Sequence, residues 1–144
     1  MKTKTNKTIT ALFLSILMTT AITACAMFPH RPPEQAVRPR VEAFMTAKVN
    51  KDWSKAYTFF DSSYQKTISE NQFIRKIEKI EVKAFTIESI AVEPDGDQVT
   101  VKIKSDVTIG GFDFKGNIET QRWVRQGNEW FVHVPSKDTK EIFK

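Results

Sequence analysis

Hydrophobic residues in the first half of the chain recur every three or four positions, which is typical of helices that bury one face. The first predicted helix runs from Pro39, whose missing N–H costs nothing in a first turn, to about residue 50. A second, shorter helix follows the N-cap Asp52 and ends where Asp61-Ser62-Ser63 breaks the pattern. A third follows the capping box at residues 69–72 and reaches Ile80. The first half is therefore predicted to hold three helices.

From Val82 onward the hydrophobic period changes to two, which is typical of half-buried strands. Turn residues at positions 94–97 and 126–129 separate the runs, and Gly110-Gly111 permits a reversal or a bulge. The fold class predicted from both halves is α+β, with three N-terminal helices packed in a curved antiparallel sheet of about four strands. The predicted inward register consists of Val99, Val101, Ile103, Ser105, Val107, Phe112, Phe114, Gly116 and Ile118.

The ionisable residues of the strands fall on the opposite register. Asp106, Asp113 and Glu119 are expected on the solvated outer face, and His133 lies between two valines and is expected to point outward unless a bulge intervenes. The polar candidates near the interior are Tyr57, Tyr64, Ser105 and Asp61, none with a second partner at a defensible spacing. A one-residue slip in the strand over 111–125 would bring Asp113 and Glu119 inward.

The N-terminus has the pattern of an export signal. A short basic stretch ending at Lys7 precedes an uncharged run rich in Leu, Ile, Phe and Ala, and small residues close it. Ile22-Thr23-Ala24-Cys25 resembles the lipobox of bacterial lipoproteins, which implies cleavage before Cys25 and lipid on its thiol. The resemblance implies attachment to a bacterial membrane, and Ala26 favours the outer membrane, facing the periplasm, if the host has two. The alternatives are an uncleaved signal anchor and a secreted protein with a free cysteine.

The export prediction changes how the charge is interpreted. Removal of Lys2, Lys4 and Lys7 with the signal lowers the formal net charge from +5 to +2, an ordinary surface balance. Nucleic acid is therefore not expected as a partner. One cysteine cannot form an internal disulfide and two histidines are too few for an ordinary zinc site, so neither a metal nor another cofactor is expected.

The segments predicted from these signals follow one another along the chain. Residues 1–24 form the signal peptide, and 25–38, rich in proline, form the lipidated cysteine and a flexible tether. Residues 39–135 form the single α+β domain that a chain of 144 residues has room for. Residues 136–144 form a charged C-terminal tail.

Three features of the domain give a second resemblance. An Asp-aromatic step at Asp52-Trp53, a capped helix over 69–80 and a terminal Trp, turn, Gly, Trp hairpin over 123–130 are similar to the nuclear transport factor 2-like superfamily. That resemblance implies a cone whose interior is a pocket. The pocket-lining candidates are Trp53, Tyr57, Phe60, Phe73, Phe112, Phe114, Trp123 and Trp130. The alternative is that these aromatic side chains simply fill the core.

Two functions are compatible with these patterns. The first is a non-catalytic lipoprotein whose domain binds a small apolar ligand or an envelope protein. The second is an isomerase or cyclase acting on an apolar substrate inside the cone. It needs an ionisable group on the inner face, and the predicted inward register holds no carboxylate or histidine. No catalytic residue is therefore assigned, and binding is the favoured hypothesis.

Overall fold

The computed structural model describes residues 31–135, in which four helices precede a four-stranded antiparallel sheet. The helices are α1 (Pro33–Val49), α2 (Trp53–Tyr57), α3 (Ser62–Thr67) and α4 (Glu70–Ile77). The strands are β1 (Ile80–Val92), β2 (Gln98–Ile109), β3 (Phe112–Gln126) and β4 (Glu129–His133), and they pair in chain order. The predicted α+β class and the four-stranded antiparallel meander are confirmed, whereas the helix count is four instead of three.

Helix α1 begins six residues before the predicted start, so residues 33–38 are helical and not part of a tether. Pro33 takes the first helical position, where proline is tolerated, and the exposed Pro39 lies inside the helix. Proline there removes one backbone hydrogen bond. Burial of the apolar stripe that starts at Val37 offsets that loss, and the local rule that proline ends a helix therefore fails here.

The short helices are fixed by side-chain caps. Asp52 accepts a hydrogen bond from the Lys55 N–H, and Ser69 with Gln72 forms the predicted capping box. Asp61 was predicted to end a helix, but its carboxylate caps α3 by accepting from the Tyr64 N–H at 2.9 Å. Asp and Ser serve both as helix breakers and as N-caps, so the pattern at 61–63 has two readings and the second is correct.

The inner face of the sheet carries the core. Val99, Val101, Ile103 and Val107 are buried, as the alternation predicts. They face α1, whose Phe44 ring meets the Trp123 ring edge-on with centroids 5.8 Å apart. The layer of helices therefore covers one face of the sheet.

A bulge in β3 changes which residues face inward. Ser105 is paired with Asn117 but Val107 is paired with Phe114, so β3 holds one more residue than β2 in this interval. Gly116 sits there with a φ of 65°, and its N–H donates to the Asp106 carboxylate at 2.8 Å. Directly opposed residues share a face, so Glu119 lies with Ile103 on the inner face and Ile118 with Lys104 on the outer face. The predicted inward position of Ile118 and outward position of Glu119 are both wrong.

Candidate functional site

A half-open cavity of about 640 Å³ lies against the helices and the inner face of the sheet, and it extends to outer-face residues such as Thr100 and Arg122. Its apolar wall is formed by residues from all layers of the domain: Phe44, Trp53, Phe60, Phe73, Ile77, Val82, Val107 and Val132. Within β3, only Arg122–Gln126 pair with β4. The cavity also reaches Thr120, Arg122 and Pro135, where that pairing ends. The volume is in the range of sites that hold small organic molecules.

The structure separates the eight aromatic candidates into three groups. Trp53, Phe60 and Phe73 line the cavity. Tyr57 packs against Phe73 beside it and donates its hydroxyl to the Ile68 carbonyl at 2.7 Å. The others lie elsewhere: Trp123 and Trp130 are buried in the core, and Phe112 and Phe114 are exposed.

The two exposed phenylalanines follow from the position of the bulge and the length of the strands. Phe112 and Phe114 are opposite Ile109 and Val107 and therefore share the inner face. They lie near the Gly110-Gly111 end of the β2–β3 hairpin, where 73% of Phe112 and 49% of Phe114 is exposed. The alternation assigned their face correctly before the bulge, but facing inward does not bury a residue at the end of a strand.

A chain of polar contacts crosses one wall of the cavity. The Lys48 ammonium lies 3.2 Å from one oxygen of Glu119, and the Gln121 amide donates to the other oxygen at 2.5 Å. The Trp123 indole N–H in turn donates to the Gln121 carbonyl oxygen at 3.0 Å. That last bond fixes the orientation of the buried amide, so its NH₂ group points at Glu119. Both Glu119 oxygens therefore act as acceptors for groups of the protein itself.

Lys48 and Gln121 were not singled out from the sequence, and Glu119 was assigned to the wrong face. Lys48 is a lysine near the end of an amphipathic helix, and Gln121 is a polar residue within a strand, so neither carries a distinctive motif. Glu119 faces inward through the slip that the sequence left open. The signal for that slip is Gly116, since a glycine inside a strand indicates a bulge.

A second polar pair lies at the end of β4. His133 Nδ1 is 2.5 Å from an oxygen of Asp61, and Asp61 is only 1% exposed. The same carboxylate caps α3, and the Asp61 N–H donates to the Val132 carbonyl at 3.0 Å. His133 shares the register of Arg122, as predicted, but its ring is half-buried and lines the cavity, so its expected separation from the site is wrong.

The remaining polar candidates have structural surroundings. Burial, and secondarily the nearby Tyr57, raises the pKa of Tyr64, whose ring stacks on Phe60 with centroids 4.4 Å apart. The Ser105 hydroxyl is buried and has no hydrogen-bond partner within residues 31–135. Asp113 is exposed and bound by Lys83 and Thr108, away from the cavity wall. In this part of the chain, no group of three or more His, Cys, Asp and Glu side chains is arranged to hold a metal ion.

Comparison with known proteins gives matches in fold only. No protein-family model and no curated protein sequence matches the chain. A crystal structure of a SEC-C motif containing protein from Psychrobacter arcticus matches with a TM-score of 0.52 and 12% identity, covering 74% of this chain and 60% of that protein. A solution structure of a SEC-C motif containing protein from Rhodopseudomonas palustris matches with a TM-score of 0.47 and 14% identity, covering 70% and 74%.

These comparisons correct the family prediction. The solved structure that matches with a TM-score of 0.52 is a SEC-C motif containing protein and not a lipoprotein of the nuclear transport factor 2-like type, and it provides no support for a signal peptide or a lipobox. The resemblance to the nuclear transport factor 2-like superfamily is therefore wrong. It rested on an order of helices, strands and turns that many small α+β domains share, and such patterns identify architecture and not family.

The predictions for the two ends of the chain are not tested. Cys25, the signal peptide and the first part of the tether lie outside the described residues, as does the tail over 136–144. Within residues 31–135, no helix is long and apolar enough to span a lipid bilayer.

Proposed function

We propose that the domain is a non-catalytic binding module that takes a small, mainly apolar molecule into the cavity between the helices and the sheet. One observation carries the proposal: the cavity has apolar and aromatic walls, with fixed polar groups at a few positions. Sites for small molecules have this composition, in which apolar area supplies affinity and a few placed polar groups orient the ligand. The proposal includes a cone-like curvature of the sheet around the helices.

The polar groups favour binding over catalysis. Both oxygens of Glu119 accept hydrogen bonds from Lys48 and Gln121, and both oxygens of Asp61 are engaged by Tyr64 and His133. A general base must instead present a lone pair to the substrate proton. Of the two, Glu119 lines the cavity, and because the protein's own donors hold it, it forms a fixed polar position at the rim of an apolar site.

The location of this function stays a prediction. Attachment to a bacterial membrane through Cys25 would place the domain in the cell envelope, facing the periplasm if the host has two membranes. An envelope protein as the partner, instead of a small molecule, is the competing form of the binding hypothesis. The cavity favours the small molecule, since a protein partner does not require an internal space.

The test is binding of 1-anilinonaphthalene-8-sulfonate to the full chain, followed by its fluorescence. Ile77→Trp places an indole in the cavity wall, and Ile74→Trp makes the same change on the same helix at a residue that does not line the cavity. We expect Ile77→Trp to weaken binding by about tenfold or more, equivalent to ~1.4 kcal/mol, and Ile74→Trp to leave it within about twofold. Equal affinities in the two variants would contradict the proposal.

A second candidate function is an acid-base enzyme of the isomerase or cyclase type. The observation that favours it is the His133–Asp61 pair at the cavity, because a buried carboxylate on Nδ1 orients an imidazole for proton transfer. The measurement is exchange of the α-proton of a cyclic enone in D₂O. An enzyme would lose this exchange in His133→Gln and keep it in Thr86→Val, which changes an exposed residue away from the cavity wall, whereas a binding module would show none in the unsubstituted protein.

A further inference from the structure

The end of the β2–β3 hairpin exposes three large apolar side chains on the face that leads to the cavity. Ile109 is 46% exposed, Phe112 73% and Phe114 49%. Ile109 lines the cavity, Phe112 is its cross-strand partner, and Phe114 is the partner of Val107, which also lines the cavity. These three residues, which we call the hairpin tip, therefore continue the apolar wall of the cavity out to the surface.

The backbone reversal between β2 and β3 holds these side chains at one end of the sheet. Gly110 and Gly111 make the reversal with φ values of 58° and 89°, which glycine adopts without strain. A Cβ built on either glycine would meet no atom within 4 Å. A contiguous exposed apolar surface of this kind commonly marks a contact site for a protein or a membrane.

The charges beside the tip identify which of these surfaces fits. Lys79 directly precedes Ile80, the partner of Ile109 on β1, and Lys115 directly follows Phe114. The nearby Asp113 is paired with Lys83 at 2.9 Å, and Glu81 is paired with Lys51 at 3.1 Å.

Because the carboxylates of Asp113 and Glu81 are already paired with lysines, Lys79 and Lys115 add positive charge beside the apolar end. Lysine next to exposed aromatic side chains complements an anionic lipid surface, where apolar groups enter the headgroup boundary and ammonium groups meet phosphate.

We propose that the hairpin tip inserts into the surface of an anionic lipid bilayer and turns the cavity toward the membrane. Phe112 and Phe114 enter the boundary between headgroups and acyl chains, while Lys79 and Lys115 remain at the level of the phosphates. This contact is independent of the N-terminal segment. It is also independent of the proposed ligand, because the inserting side chains of Phe112 and Phe114 are not part of the cavity wall and their insertion requires nothing to be bound there.

The test places an environment-sensitive nitrobenzoxadiazole label at single cysteines in the full chain carrying Cys25→Ser. One label is at Phe112→Cys, and the matched control is at Ile118→Cys, on the outer face of the same strand and 50% exposed. With vesicles of phosphatidylcholine and phosphatidylglycerol, we expect blue-shifted emission and quenching by doxyl-labelled lipid at position 112 only. Any membrane affinity of the N-terminal segment is common to both proteins and cannot produce this difference.

Charge variants test the identity of the surface. In the Phe112→Cys protein, we expect Lys79→Gln with Lys115→Gln to weaken vesicle binding at the tip by about 25-fold, since each lysine near an anionic surface contributes about a factor of five. The control pair is Lys66→Gln with Lys102→Gln, on α3 and on the outer face of β2. It should change vesicle binding at the tip by no more than about twofold.

Three results would overturn the proposal. The first is equal behaviour of the labels at 112 and 118, and the second is equal insertion into vesicles of phosphatidylcholine alone. The third is a blue shift at 112 that grows with protein concentration in the absence of vesicles, which would show that a second copy covers the tip. None of them affects binding of 1-anilinonaphthalene-8-sulfonate in the cavity, so failure here is distinct from failure of the proposed function.

Discussion

At the scale of single residues, Gln121 joins the buried core to the polar wall of the cavity. Its carbonyl oxygen accepts from the Trp123 indole, its NH₂ group donates to Glu119, and its nitrogen also lies 3.5 Å from the Met45 sulfur. A buried amide is tolerated because these partners satisfy it on both sides. The position of the Glu119 carboxylate therefore depends on a residue that is itself only 6% exposed.

Replacing Gln121 should cost stability through the partners that it leaves behind. We expect Gln121→Leu to lower the free energy of unfolding by about 2 kcal/mol, because the buried indole N–H of Trp123 loses its acceptor. Urea denaturation followed by circular dichroism measures the change. Thr120→Val, one residue away and exposed, is the control and should change stability by less than about 0.5 kcal/mol. A similar loss in both variants would show that the buried hydrogen bond is not its cause.

Asp113 shows a residue-scale effect that is separate from the cavity. A hydrogen bond from the Thr108 hydroxyl, followed by one from Lys83, holds the pKa of Asp113 below its ordinary value. Because the folded-state pKa is lowered, the ionised carboxylate stabilises the fold above its unfolded-state pKa. That contribution is lost as the pH falls through the folded-state pKa.

Removing the Thr108 hydrogen bond, which is the larger of the two causes, should raise the pKa of Asp113. We expect Thr108→Val to shift the carboxylate titration of Asp113 toward higher pH, measured by NMR on the side-chain carbonyl carbon. Thr86→Val, an exposed threonine on β1, should leave the Asp113 titration where it is. An unchanged midpoint in Thr108→Val would mean that the Thr108 hydrogen bond does not lower the pKa of Asp113.

At the scale of elements, Asp61 links a helix to the edge of the sheet. It caps α3, contacts His133 at the end of β4, and follows Phe60, which forms a bridge with Val132. The Val132 N–H donates to the Phe59 carbonyl at 2.8 Å, and the Asp61 N–H returns a bond to Val132. The connection between α2 and α3 thus pairs with the outer edge of β4 in the described part of the chain.

Two substitutions separate the cap from the link. Asp61→Asn keeps an oxygen for the Tyr64 N–H, so we expect it to cost about 1 kcal/mol, whereas Asp61→Ala loses both roles and should cost about 2–3 kcal/mol. Asp52→Ala removes an exposed cap and should cost about 1 kcal/mol. Midpoints of urea unfolding compare the three variants. If Asp61→Ala is no more harmful than Asp52→Ala, the contact with His133 adds nothing to stability.

The elements also show where sequence reasoning works. Asp52, Ser69 and Gln72 act within three residues, so their caps could be predicted from local pattern alone. The bulge could not, because it depends on Gly116 at positive φ and on the distant acceptor Asp106. Apolar residues at 112, 114 and 118 keep the same two-residue spacing on both sides of the bulge. The sequence pattern therefore gives no sign that residue 118 has moved to the outer face.

At the scale of the whole molecule, the candidate site consists of contacts between residues far apart in sequence. Lys48 and Glu119 are separated by 71 positions, and Asp61 and His133 by 72. No spacing rule connects such pairs, so the sequence identified Asp61 and His133 separately but could not bring them together. The aromatic residues were easier, because Trp53 and Phe73 lie on short helices whose inward faces are set by helical period, and Phe60 continues that spacing just after the first of them.

The cavity has a consequence for the stability of the entire domain. A chain of this size is expected to favour a tightly packed interior, so space beside Phe44, Phe60 and Phe73 that protein atoms do not fill is retained at a cost in stability. Filling that space with apolar atoms should recover part of the cost, and filling it should also remove the proposed function. Stability and binding would then change in opposite directions in the same variant.

Ile77→Trp and Ile74→Trp separate this trade-off from ordinary overpacking. Residue 77 lines the cavity, so an indole there can occupy open space, and we expect the free energy of unfolding to rise by about 0.5–1 kcal/mol. Residue 74 packs against the core without lining the cavity, so the same indole should be destabilising by about 1–3 kcal/mol. Urea unfolding of both variants decides the matter, since equal losses of stability would mean that the space beside residue 77 cannot accept a ligand-sized group.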